Sequence, residues 1–71
     1  MPGMPRFRDD DRVTVVDPHD RHYGEHGYIE CWWYGMGGGV MYGVILDGRA
    51  DDGPLPKAET ELQLGEEVFT R

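Results

Sequence analysis

A chain of 71 residues with a single cysteine has room for one domain and cannot form an intrachain disulfide. Its net charge of −7 favours a basic or neutral protein partner and disfavours nonspecific binding to nucleic acid or anionic membranes, which requires clustered Lys and Arg. Because it has no apolar run near about 18 residues and no signal peptide at its start, we expect a cytoplasmic protein outside the membrane.

The composition favours an all-β domain. Four Tyr, two Trp, two Phe and several Val and Ile fit a pleated, half-buried surface. Eleven Gly and five Pro leave few stretches long enough for a helix. Prolines and an acidic run predict a flexible N-terminal lead-in over residues 1–10, followed by the folded domain over residues 11–71.

The first predicted hairpin begins with a strand over about residues 12–17, where apolar and polar side chains alternate. Val13 and Val15 fall on one face of this strand. Pro18 ends it, because proline removes a hydrogen-bond donor and restricts the residue before it. A loop rich in Asp, His and Gly follows over residues 18–26.

The second strand is predicted from about Tyr28 to Tyr34, directly after Gly27. Alternation predicts an inward face that consists of Ile29, Cys31 and Trp33. The opposite face then carries the aromatic side chains Tyr28, Trp32 and Tyr34. A shift of one residue in this register would exchange the two faces.

A third strand is predicted over Val40–Leu46, after the glycine-rich connector at residues 35–39. On this strand Tyr42 and its alternate neighbours face inward, whereas Met41 and Ile45 face the other way. The dipeptide Asp-Gly that follows predicts a turn.

The last part of the chain predicts three short elements. They are an apolar piece around Leu55, a single helical turn near residues 58–61 and a last strand over about residues 62–69. Leu62 and Leu64 are the expected anchors of that last strand.

Several segments resemble the KOW motif and related SH3-like small barrels. Residues 12–16 and 23–29 have the strand, the loop and a glycine two residues before a core aliphatic, here Gly27 and Ile29. The later segments Tyr42-Gly-Val-Ile-Leu-Asp-Gly48 and Glu59-Thr-Glu-Leu-Gln-Leu64 look like the middle strand with its turn and the usual ending.

The resemblance covers about residues 11–65. It implies an all-β, five-stranded SH3-like (KOW-like) barrel, with a short 3-10 turn before the last strand. It also implies RNA binding or a ribosome- or transcription-associated role. The first loop departs from the nucleic-acid-binding members, because it carries Asp17, Asp20 and Glu25 where they carry Lys and Arg.

The histidines of the first loop are candidate metal ligands. His19, His22 and His26 lie near several carboxylates, and imidazole and carboxylate groups bind zinc or nickel. The loop has no Cys-x-x-Cys or His-Glu-x-x-His spacing, which favours an ordinary turn with Asx-type hydrogen bonds. We therefore expect no metal and no other cofactor.

Cys31 is the one candidate nucleophile. A Cys–His pair would need an accessible thiol near a histidine. Alternation places Cys31 on the apolar face, where a cysteine behaves as a small hydrophobe. We therefore expect a protein that is not an enzyme.

The predicted outward face of strands two and three is the main candidate site. It consists of Tyr28, Trp32, Tyr34, Met41 and Ile45. Trp and Tyr dominate protein interfaces, and Met adapts to irregular partners. The hypothesis is a non-enzymatic protein-binding module, such as a small accessory or regulatory factor, including a phage-encoded one that acts on a host protein. Self-association through the same face is one form of it.

Two alternatives stay open at this point. The first is KOW-type nucleic-acid binding, which needs a basic face that would consist of Arg6, Arg8, Arg12 and Arg21. The second is a metal-binding protein that uses the histidines of the first loop.

Overall fold

A computed structural model describes residues 4–65, which form one antiparallel sheet of five strands. The strands are β1 (Arg12–Val15), β2 (His26–Tyr34), β3 (Val40–Leu46), β4 (Leu55–Ala58) and β5 (Leu62–Leu64). Two short 3-10 helices, Ala50–Asp52 and Glu59–Glu61, precede β4 and β5. The all-β fold class and the 3-10 turn before the last strand are confirmed.

The order of the strands in the sheet is β4-β3-β2-β1-β5, so β4 and β5 are its two edges. Within residues 4–65 no pairing joins these edges, and the sheet is not closed into the predicted barrel. The resemblance to KOW and SH3-like domains stays a prediction.

β5 is shorter than the predicted last strand. Leu62 is buried, which confirms it as an anchor, whereas the Leu64 side chain is 57% exposed and the prediction that it anchors the strand is wrong. Residues 66–69 of the predicted strand lie outside the described residues.

The core lies on one face of the sheet. Alternation on β1 and β3 turns every second side chain to this face. Its fully buried apolar side chains are Val13, Val15, Ile29, Tyr42, Val44 and Leu46. Each stabilises the fold by roughly 1.5–3 kcal/mol through removal of apolar surface from water.

The N-terminal segment packs on this core through Phe7. Phe7 is 3% exposed, and its ring centroid lies 5.1 Å from that of Tyr42. The Tyr42 hydroxyl accepts hydrogen bonds from the backbone N–H groups of Arg6 and Phe7, at 2.9 and 3.2 Å. It donates to Glu59 Oε2 at 2.6 Å. Burial of the Tyr42 hydroxyl, with this bond to Glu59, raises its pKa above 10.0. The burial of Phe7 departs from the predicted loose lead-in.

Gly27 occupies a position with no room for a side chain. A Cβ there would lie 2.3 Å from the carbonyl oxygen of Ile45 and 2.9 Å from Cα of Leu46. Gly24 is needed for a different reason, because its φ of +87° is strained for other residues although a Cβ would meet nothing within 4 Å. The two glycines of the first hairpin therefore serve two distinct requirements.

A buried ion pair joins the first loop to β4. Lys57 Nζ lies 2.5 Å from Asp20 Oδ2, and the two side chains are 9% and 7% exposed. Burial alone would raise the pKa of Asp20, but the hydrogen bond and charge of Lys57, together with the backbone N–H of His22, hold it below 3.8. This pair fixes the long loop between β1 and β2 against the far edge of the sheet.

We expect Gly27→Ala and Gly24→Ala to differ strongly in stability. Gly27→Ala forces a backbone clash and destabilises the fold by clearly more than Gly24→Ala, which strains one open position and costs about 1–2 kcal/mol. Urea unfolding followed by tryptophan fluorescence measures both. Equal losses in the two variants would contradict the close approach at Gly27.

We expect Asp20→Asn to destabilise the fold by about 3–5 kcal/mol, because it leaves the buried Lys57 ammonium without its counter-charge. The control is Asp47→Asn, which removes an exposed partner of Arg12 and costs about 0–1 kcal/mol. Chemical denaturation at neutral pH compares the two variants.

The same pair predicts a pH dependence. The pKa of Asp20 in the folded protein lies below 3.8. The ion pair therefore makes its full contribution to the free energy of unfolding above that pH, and this contribution is lost as the pH falls towards the folded-state pKa. The stability difference between wild type and Asp20→Asn should therefore shrink as the solution is acidified. A difference that is constant or grows in acid would refute this role.

Candidate functional site

A β-bulge at Glu30 changes the register of β2. Ile29 pairs with Val44 and Cys31 pairs with the adjacent residue Gly43, so Glu30 is an extra residue on its strand. Side chains that pair across antiparallel strands point to the same face. One extra residue therefore exchanges the two faces for the remainder of β2.

Beyond the bulge, Trp32 and Tyr34 lie on the face of the sheet that carries the core. They pair with Tyr42 and Val40, which are both buried. Trp32 and Tyr34 themselves remain 38% and 44% exposed, because this part of β2 extends past β1 and has a paired strand only on its β3 side within residues 4–65. Their rings contact edge to face, with centroids 5.1 Å apart.

Cys31 and Trp33 lie on the opposite face, beside Gly43. A Cβ at Gly43 would lie 2.8 Å from Cys31 Sγ and 3.5 Å from Trp33 Cζ3. Both side chains are exposed, Trp33 by 41%. The prediction that Cys31 and Trp33 join Ile29 on the inward face is wrong, because the bulge at Glu30 separates them from its register.

The five predicted contact residues do not share one face. Tyr28 pairs with Ile45, and Met41 lies on the face of Ile45 by alternation along β3. Trp32 and Tyr34 point to the other face. Ile45 is also buried, so it is not an outward contact as predicted. The role of this set in binding stays a prediction, but its members cannot contact one flat surface together.

The exposed half of the β2–β3 hairpin nevertheless forms a concentrated apolar surface. Seven large apolar side chains are exposed within residues 4–65, and four of them lie within five consecutive positions. We call this group the aromatic arm; it consists of Trp32, Trp33, Tyr34 and Met36. It presents side chains on both faces of one hairpin.

Sequence alternation missed Trp33 and Met36. Alternation without a bulge places Trp33 in the core, and the glycines around Met36 predict only a connector. A signal was present, since the four residues Cys31–Tyr34 are all apolar or aromatic and show no alternation. Such a run fits either phase of a strand.

The tip of the hairpin is a hydrogen-bonded turn. The backbone N–H of Gly35 donates to the Gly39 carbonyl at 2.7 Å, and that of Gly38 donates to the Gly35 carbonyl at 2.9 Å. Gly38 has a φ of +87°, which glycine adopts without strain. The turn therefore holds the ends of β2 and β3 in register up to Tyr34.

The three histidines have different neighbours. His26 Nδ1 lies 2.7 Å from Thr14 Oγ1, and His22 Nδ1 lies 3.5 Å from Glu25 Oε2. The backbone N–H of His19 donates to Asp17 Oδ1 at 2.9 Å, as Asx-type turns predict. Across residues 4–65, no three His, Cys, Asp or Glu side chains converge in a group that could hold a metal ion.

Ion pairs engage three of the six basic side chains in residues 4–65. Besides the buried Lys57, Arg12 forms two hydrogen bonds to Asp47, and Arg49 donates to both oxygens of Glu25 at 2.8 and 3.0 Å. These bonds lower the pKa of Asp47 and Glu25. Arg12 was one of the four residues required for the predicted basic face, and a carboxylate already neutralises it.

Comparison of the chain with protein-family models, with curated proteins and with solved structures gives no match. In the described part of the chain, no helix has the length and apolar character that a membrane crossing requires. The surface of the same residues has no enclosed pocket. The aromatic arm is therefore the candidate site that the geometry itself provides.

The bulge predicts that Cys31 reacts readily in the folded protein. A disulfide-exchange reagent such as DTNB should modify the native chain at a rate comparable with that of the urea-unfolded chain, because the thiol is exposed. Absorbance of the released thiolate measures the rate, and Cys31→Ser is the blank. Protection of the thiol until global unfolding would contradict the register beyond Glu30.

Proposed function

We propose that this chain is a non-enzymatic protein-binding module and that the aromatic arm is its contact surface. The observation that carries this proposal is the exposure of Trp32, Trp33, Tyr34 and Met36 within five positions of one hairpin. Contiguous exposed apolar side chains on a small protein mark interaction sites. Trp and Tyr in particular supply most of the binding energy at protein interfaces.

The order of the hairpin supports the proposal. β2 is paired with β3 as far as Tyr34, and the turn from Gly35 to Gly39 is hydrogen-bonded. Aromatic side chains on a paired strand lose little conformational freedom when they bind, so more of the contact energy appears as affinity. Met36 at the tip adds a flexible apolar side chain that adapts to an irregular partner.

Charge defines the class of partner. The net charge is −7, and half of the basic side chains within residues 4–65 are neutralised by ion pairs. This field attracts basic proteins and accelerates their association, and it does not repel neutral ones. A small acidic module of this kind fits an accessory or regulatory factor that works in the cytoplasm.

Affinity capture with variants of the arm tests the proposal. We expect Trp33→Ala and Trp32→Ala each to weaken capture of a specific protein by at least about tenfold, as truncation of interface aromatics does. Leu64→Ala is the matched control, because Leu64 is an exposed apolar residue on β5, outside the arm. Binding constants from titration of the captured protein measure the effect.

Two results would overturn the proposal. Equal losses for Leu64→Ala and the two tryptophan variants would show that binding does not depend on the arm. Capture that disappears after nuclease treatment would favour the nucleic-acid alternative.

A further inference from the structure

We infer that the aromatic arm binds its partner by strand addition, in which a basic, extended peptide segment pairs with the open edge of β2 from Trp32 to Tyr34. This inference rests on the proposed function and deepens it. It assigns the partner an extended backbone and a positive charge. Both assignments can be tested without substitution of the aromatic side chains of the arm.

Among residues 4–65, nothing pairs with one edge of β2 along the arm. The other edge pairs with β3 as far as Tyr34. On the open side, β1 pairs with β2 only as far as Tyr28, and residues 10 and 11 pair only with Ile29. No segment within residues 4–65 pairs with this side of β2 after Ile29. Such an edge presents backbone groups that an added strand can satisfy.

The alternation of hydrogen bonds between β2 and β3 identifies which residues of β2 direct their backbone N–H and C=O groups to the open edge. Gly35 donates to the Gly39 carbonyl, and successive residues of an antiparallel ladder alternate between facing the partner strand and facing away. Tyr34 and Trp32 therefore direct their peptide N–H and C=O groups to the open edge. An added strand would meet the rings of these two residues on one face and Trp33 on the other.

A turn in the N-terminal segment ends its pairing with β2 at Ile29. The backbone N–H of Asp10 donates to the Ile29 carbonyl at 2.7 Å, and that of Asp11 donates to the Arg8 carbonyl at 3.0 Å. Asp10 has a φ of +72°, a conformation that Asp adopts more readily than most residues. Before the turn, Phe7 is buried against Tyr42, on the face of the sheet that carries the core.

Carboxylates surround the start of the open edge. Asp9 and Asp10 are exposed in the turn, and Glu30 is exposed at the bulge. Asp11 accepts the backbone N–H of Arg8, the basic residue of this turn. The turn and the bulge together carry four carboxylates and the single guanidinium of Arg8. This excess of negative charge favours the binding of an added strand that carries Lys or Arg. The same carboxylates and the net charge of −7 disfavour a second copy of this chain as the occupant.

The probe for the test is a fluorescein-labelled eight-residue peptide of alternating Lys and Val, titrated with the full chain and followed by anisotropy. We expect saturable binding that weakens with salt, and none to the corresponding Glu–Val peptide. N-methylation of every backbone amide should weaken binding at least about tenfold, because the donors for the sheet are removed. Methylation of alternate amides retains one edge of the peptide and serves as the control for altered peptide conformation.

A matched pair of variants tests the charge assignment. The Asp9→Asn/Asp10→Asn double variant should bind the Lys–Val peptide several-fold more weakly. The Asp51→Asn/Asp52→Asn variant makes the same change in net charge at exposed residues of the first 3-10 helix, and should bind almost normally. Equal losses would mean that only net charge matters, which would overturn the assignment to this edge.

The remaining outcomes separate this inference from the proposed function. Failure of the Lys–Val peptide to bind, or equal binding of the fully methylated peptide, overturns strand addition. The proposed function still stands in that case if Trp33→Ala abolishes protein capture. A concentration-dependent dimer in sedimentation that Trp33→Ala removes would identify a second copy as the occupant and would also overturn the inference.

Discussion

The carbonyl group of Ile45 occupies the space that a side chain at position 27 would need. Because Gly27 has no Cβ, β2 can approach β3 there while it also pairs with Val13 of β1. Three strands meet at this one residue, which pairs with the buried residue Leu46 and lies two positions before the buried residue Ile29. The approach therefore sets the position of β3, which in turn carries the largest share of the core.

The Glu30 bulge separates two parts of the same strand that meet opposite requirements. Before it, Ile29 is fully buried and contributes to stability. After it, every residue to Tyr34 is exposed, although most are aromatic. A sequence selected for stability alone would place such side chains in the core, and departures of this kind are typical of functional sites. Glu30 thus separates the part of β2 that belongs to the core from the part that forms the candidate site.

Local patterns predicted those features that depend on local chemistry. The bounds of β3, Val40–Leu46, follow from its alternation and from the glycines and the Asp-Gly turn that flank it. The bulge could not be predicted, because four successive apolar or aromatic residues fit both phases of a strand. The burial of Phe7 and Lys57 depends on distant partners, Tyr42 and Asp20, which no sequence window contains.

The bulge also gives changes in chain length a special importance in the evolution of this hairpin. Loss of the codon for Glu30 would join Ile29, which pairs with Val44, directly to Cys31, which pairs with Gly43. The ladder would then be regular, and each side chain from Cys31 onwards would keep its present face. The residues before it, including Gly27 and Ile29, would keep their pairing. The bulge therefore allows this strand to gain or lose one residue at position 30 without a change in which later side chains lie on the core face of the sheet.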